Sequence, residues 1–218
     1  MLFDLRGRRR RAVQVTYLML ALLMGGGLVL FGVGGDVSGG LLDAFKGGGG
    51  GSNVNSALQG QIDKQEDRLQ KNPRNEAVLQ ALVRNYYAKA TQSQESGTAF
   101  SADAKDDLRK AGAYWNRYAS VADKPNPATA GYALQIYDVA ALNKPKEAAK
   151  AASILAQAGN DAASYLRLVS YASRAGDTRT ANLAGQKAVD LAPKAQKKLV
   201  KKQVEALKKS AQQQPPSG

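Results

Sequence analysis

The 34 residues from Ala162 to Ala195, AASYLRLVSYASRAGDTRTANLAGQKAVDLAPKA, decide the fold. Apolar residues recur there at three- and four-residue steps, the period of a helix with one buried side, with no strand-like alternation. Tyr165, Leu168, Val169 and Ala172 fall on one face of a first helix. Ala175-Gly176-Asp177 makes a turn. Ala181, Gly185 and Ala188 then line a second helix that stops at Pro193. Small residues at those positions let the two helices approach closely, so the segment predicts an antiparallel helix pair.

An aromatic, a leucine, a small residue, a turn glycine, spaced alanines and a terminal proline in this order resemble the tetratricopeptide repeat. Two positions depart from it: Ala172 stands where a tyrosine is usual, and Gly185 where a larger aromatic is usual. Weaker versions of the pattern precede it. Ile62 to Pro73, followed by Asn75, reads as the second helix of one repeat, and Leu79, Leu82 and Tyr86 then fall on the next first helix. A long helix from Ser101 carries Leu108, Trp115, Tyr118 and Ala119 to one side, after a loop from Thr91 to Phe100 that is longer than the usual turn. Tyr132, Ile136 and Val139, then Ala148, Ala152 and Leu155 after Pro145, fit a further pair. The resemblance covers roughly residues 56 to 195. It implies an all-α fold: an α-solenoid of about three TPR-like antiparallel helix pairs with a C-terminal capping helix, the repeat domain spanning 56–212.

Stacked pairs need a terminal unit with a polar outer side. Lys194 to Ala211 suits that role, with Val200, Val204, Leu207 and Ala211 as its apolar stripe and lysines elsewhere. The same lysines, Lys197, Lys198, Lys201 and Lys202 among them, could instead contact a polyanion or an anionic surface. Residues 213–218 read as a frayed tail.

In repeats of this family the first helices line a concave ligand face. The resemblance therefore implies Gln80, Arg84 and Tyr87 on the first such helix, Ala133 and Tyr137 on the next, and Leu166, Ser170 and Arg174 on the last. Arginine grips carboxylates bidentately and tyrosine gives rigid contact area, so a protein or an extended or acidic peptide is the expected partner. The residue set with which some members clamp a free C-terminal carboxylate is not recognisable.

At the other end, Arg8, Arg9, Arg10 and Arg11 precede Ala12 to Gly35, 24 residues without a charge. A helix of that length reaches roughly 36 Å, enough to cross a hydrocarbon core of about 30 Å. We expect a transmembrane helix over 12–35, contacting the lipid bilayer. The basic flank over 1–11 then stays cytoplasmic and the remainder lies outside the cell membrane. Cleavage at Val37-Ser38-Gly39, releasing a secreted domain, is the alternative, although the run exceeds the usual signal-peptide length. Ala21 and Gly25 form a small-xxx-small pair, the kind of step that supports weak homodimers. Residues 36–55, with Gly47 to Gly51, read as a linker; no Gly-Lys-Ser/Thr closes a phosphate loop.

Composition narrows the chemistry. The 218 residues include neither cysteine nor histidine, which removes thiolate chemistry, disulfides, the commonest general base and the commonest metal ligand. Asp103, Asp106 and Asp107 read as an acidic first turn of a helix, not as an acid and base pair. No catalytic residue, metal or other cofactor is expected, and the chain does not read as an enzyme. The net charge of +13 sits largely at the ends: five arginines against Asp4 in residues 1–11, and seven lysines against Glu205 from Lys194 to Lys209. Bulk charge is thus a poor argument for nucleic acid. The expectation is a membrane-anchored scaffold or adaptor for an envelope or exported protein, similar in architecture to bacterial translocon-associated helper proteins.

Overall fold

The computed structural model describes residues 52–92 and 99–212, and these are all-helical with no strand among them. The elements are α1 (Ser52–Lys71), α2 (Glu76–Gln92), α3 (Ala102–Val121), α4 (Pro127–Ile136), α5 (Pro145–Gly159), α6 (Ala162–Arg174), α7 (Thr178–Leu191) and, after a 3-10 turn at Lys194–Gln196, α8 (Lys197–Gln212). The described residues from Asn55 onward group as one compact unit.

Each start carries a local reason. Asn75 Oδ1 accepts from Val78 N at 3.1 Å ahead of α2, Ser101 Oγ from Ala104 N at 3.2 Å at α3, and Asn126 Oδ1 from Ala128 N at 2.8 Å at α4. Asp161 and Asp177 do the same for α6 and α7, each accepting a backbone N–H at 2.9 Å. These bonds satisfy donors that a helix N-terminus leaves open. Pro127 and Pro145 open α4 and α5, where the missing N–H costs nothing. Asn160 at φ 46° and Gly176 at φ 72° end α5 and the α6–α7 turn in the left-handed region.

Neighbours in sequence are neighbours in space. α2 lies along α3, both touch α4, α4 packs on α5, α5 on α6, α6 on α7, and α8 covers α6 and α7 together. Leu79, Leu82, Tyr86, Leu108, Trp115, Tyr118 and Ile136 form the core of the first half, and Ala148, Ala152, Leu168, Val169, Ala172, Ala181 and Ala188 that of the second. Val200 and Val204 of α8 are buried and Leu207 packs beside them. Gly185 has its reason here: a Cβ at that position would lie 2.6 Å from Val204 Cγ1, so the absence of a side chain lets α8 close on α7.

Three boundaries differ from the sequence reading. α1 begins at Ser52, inside the stretch read as linker to residue 55, because the glycine run that carried that reading ends at Gly51. α2 continues to Gln92, so the loop read from Thr91 begins later. Val139 is not on a core face: it is 52% exposed, because α4 ends at Ile136 and the chain turns back on itself. Backbone bonds from Asn143 N to Asp138 O (2.8 Å) and from Lys144 N to Tyr137 O (3.0 Å) close that turn. Among the described residues no helix is long and apolar enough to cross a membrane. The span read at 12–35, Arg8 to Arg11, the Ala21/Gly25 pair and the tail at 213–218 lie outside the described residues.

Candidate ligand face across α2, α4 and α6

α2 and α4 lie side by side, and their shared outer surface is tied by paired polar groups. Thr129 Oγ1 donates to Gln80 Oε1 at 3.0 Å, and the Tyr87 hydroxyl donates to Gln135 Oε1 at 2.6 Å. The Tyr87 and Tyr132 rings meet at 5.4 Å in a tilted arrangement. Partial burial, helped by Tyr132, raises the Tyr87 phenol above its ordinary value. Arg84, on the same helix, is exposed and has no carboxylate within the 4.0 Å ion-pair distance among the described residues.

On α6 the residues opposite the packed face are Ala163, Arg167, Ser170 and Arg174, a ridge at spacings of four, three and four. Arg167 is exposed; Ser170 and Arg174 are half-buried. Neither arginine has a carboxylate within ion-pair distance among the described residues. The nearby Tyr171 hydroxyl donates to Asp138 Oδ2 at 2.7 Å, so that carboxylate is already engaged. Burial first, then this bond, pushes the Tyr171 phenol up to about 12, against the opposing pull of Arg174 and Arg167. The α2/α4 surface therefore offers aromatic area, and the α6 ridge carries two arginines outside any ion pair among the described residues. Arg167 is close enough to Asp161 to help the Ser164 hydrogen bonds lower its carboxyl below the ordinary value.

Of the side chains named from sequence, Gln80, Arg84 and Tyr87 share one surface, and Ser170 and Arg174 share the α6 ridge. Tyr137 does not belong to a ligand face. It is 2% exposed, its hydroxyl donating to Gly112 O at 2.9 Å and lying 3.2 Å from Asn116 Oδ1, and burial pushes its phenol up to about 12. The physical reason is the notch at Gly112, where a Cβ would stand 2.9 Å from that hydroxyl. Ala133 is buried as well, and Leu166 packs toward α8 against Ala188, Ala192 and Val200. Lys198, Lys201 and Lys202 are exposed on α8, and Lys197 is half-buried at its start.

Sequence reasoning passed over three features. Tyr132 and Gln135 lie on the α2/α4 surface and Arg167 on the α6 ridge; the spacing of Arg167 from Arg174, seven residues on one helix side, was available as a signal. Glu66 Oε1 accepts from both Tyr86 and Tyr114 at 2.7 Å, fastening α1 across α2 and α3, with Lys110 Nζ 5.4 Å above the Tyr86 ring. A groove of about 510 Å³ lies between α5 and the α6–α7 turn, lined by Lys146, Lys150, Ser153, Gly176, Asp177 and Thr180. Among the described residues, no group of three or more acidic side chains is placed to hold a metal ion. Comparison with known proteins gives no match: no family model, no curated protein and no solved structure matches the chain.

Proposed function

We propose that this chain is a membrane-anchored scaffold or adaptor whose TPR-like helical domain, on the outer side of the membrane, binds an extended acidic segment of another protein. The observation that carries the reading is the set of exposed or half-buried groups on the predicted first helices, Arg84 beside the Tyr87–Tyr132 ring pair and Arg167 with Arg174 on α6, whose cations form no ion pair among the described residues. Aromatic rings and arginines are the residues most often dominant in protein interfaces. Guanidinium groups pair with carboxylates through two parallel hydrogen bonds, which favours an acidic over a basic ligand. The helix adjacency, the Gly176 turn and the close approach at Gly185 support the repeat-like description. The arginines before residue 12 and the uncharged run after them support the anchor and its orientation.

A photo-crosslinking residue placed at Arg84, Tyr132 or Arg174 should give the same adduct in native membranes, and one at Ala113 on the exposed side of α3 should not. Arg167→Glu with Arg174→Glu should remove the adduct while the helical signal stays intact. Equal capture from Ala113, or indifference to the charge reversal, would sink the binding claim. Separately, protease added to intact spheroplasts should digest the helical domain; protection of the domain would overturn the orientation.

A further inference from the structure

We propose that the outer face of α8 seats on the headgroup layer of an anionic phospholipid bilayer, the same one that residues 12–35 would hold; the inference rests on the anchored reading above. Opposite the packed stripe of Val200, Val204 and Leu207, Lys198, Lys202 and Lys209 form an exposed ridge at spacings of four and seven. Beside it run Leu199, 58% exposed, and Ala206, also exposed. Lys201 extends the basic flank toward α7, where Lys208 Nζ donates to Asn182 Oδ1 at 2.6 Å. Glu205 is the only acid on the helix, and no carboxylate lies within 4.0 Å of Lys198, Lys202 or Lys209 among the described residues.

A terminal cap needs only a polar outer side, and mixed charges would serve it better. Lysines four residues apart, as at Lys197/Lys201 and Lys198/Lys202, repel one another on a helix. Their concentration on one side, next to an exposed leucine, fits an interfacial helix whose cations meet lipid phosphates while short apolar groups enter the headgroup layer. A soluble polyanion would match the lysines and leave Leu199 with nothing to enter. Chain length agrees: 16 residues separate Gly35 from Ser52, at most about 58 Å when fully extended, so in the anchored reading the start of α1 stays within that distance of the bilayer.

The native chain has no cysteine, so Ala206→Cys gives a single labelling site for energy transfer to a headgroup acceptor, with Ala113→Cys on α3 as control. The full chain is placed in nanodiscs of phosphatidylcholine alone or mixed with phosphatidylglycerol. Transfer from position 206 should rise in the mixed discs, fall with added salt, and stay flat at position 113. Each lysine near an anionic surface contributes about fivefold, so the combined Lys198→Gln, Lys202→Gln and Lys209→Gln variant should lose more than a hundredfold in docking. The corresponding arginine triple should retain it, which separates charge from folding. Equal transfer in the two lipids, or an unaffected glutamine triple, overturns the docking while leaving the anchor standing. Failure of the chain to be recovered with either disc overturns the anchor, and the docking with it. Binding of soluble polyphosphate in neutral discs with no response to phosphatidylglycerol overturns the proposal in favour of a polymer ligand.

Discussion

Gly185 and Val204 form the contact through which the C-terminal helix closes the stack, and its energetics can be worked out before measurement. In Gly185→Ala the new Cβ would lie 2.6 Å from Val204 Cγ1, a distance real Cβ atoms do not adopt, and the stiff χ1 of valine gives it little room. Overpacking of this kind costs about 1–3 kcal/mol, offset by the roughly 1 kcal/mol that alanine gains over glycine in a helix, for a net loss near 1 kcal/mol. Val204→Ala removes two buried methyl groups, at about 0.8 kcal/mol each plus a cavity contribution, or roughly 2.5 kcal/mol. In the double variant the new Cβ fills the vacated space and the propensity gain is realised. It should lose only about 1 kcal/mol, some 2.5 kcal/mol less than the sum of the single losses, which is coupling of the size expected for residues in contact. Urea unfolding followed by the helical signal, on the full chain in mild detergent, measures all three; each kcal/mol also corresponds to about 2–4 °C in Tm for a domain of this size. Additivity within about 0.5 kcal/mol, or stabilisation by Gly185→Ala alone, would refute the contact.

Three further outcomes are expected. Tyr114, Tyr137 and Tyr171 have phenols pushed up to about 12 from 10.0, and that of Tyr86 is raised further, so the folded state holds protons that the unfolded chain releases. Their contribution is complete below pH 10 and is lost as pH rises through 12, and tyrosinate absorbance should lag behind that of the urea-unfolded chain. Glu66→Ala leaves two phenols without their acceptor and should cost about 2–3 kcal/mol, with faster hydrogen exchange along α1; Glu66→Gln, which keeps an acceptor oxygen, should cost less than half of that. Gly176→Ala places a side chain at φ 72° with nothing within 4 Å of the new Cβ, so backbone strain alone should lower stability by about 1–2 kcal/mol, readable as a drop in Tm.

The helices of the second half were legible because apolar spacing reports burial directly. Leu168, Val169, Ala172, Ala181 and Ala188 are all buried where their period puts them. The sequence was mute where a partner distant in the chain decides the outcome. Tyr137 occupies a position compatible with either a surface or a core, and it turns inward because Gly112, 25 residues earlier, leaves a notch for its ring. Val139 continues the helical period for one more step, yet the backbone bonds of the 137–144 turn end the helix before it. The Glu66 latch had no signal in periodicity at all, since a carboxylate shared by tyrosines 20 and 48 residues away appears only after three helices have packed. For the candidate site, helix sides were readable and pairing was not: Gln80 and Tyr87 are engaged by Thr129 and Gln135, while Arg84 and Arg174 have no ion-pair partner among the described residues.

The two halves of the stack are built from different materials, and this bears on what the C-terminal helix is for. Seven of the eight largest fully buried side chains lie between Ile62 and Ile136, leaving only Val169 in the second half, where alanines dominate. Apolar stabilisation scales with the area removed from water, so an alanine-lined interface gains less per residue than one filled by leucine, tryptophan and tyrosine, and it depends on close approach. Close approach is what Gly185 allows, with the buried Val200 and Val204 supplying larger side chains from α8. The lysines of α8 thus sit on the element that the second half most needs. Charge on its outer face could have been placed elsewhere at no cost to packing, since none of Lys198, Lys202 and Lys209 has an ion-pair partner among the described residues. The separation of roles proposed for α8, apolar stripe for the stack and basic ridge for the bilayer, is what the glutamine and arginine triples are built to divide.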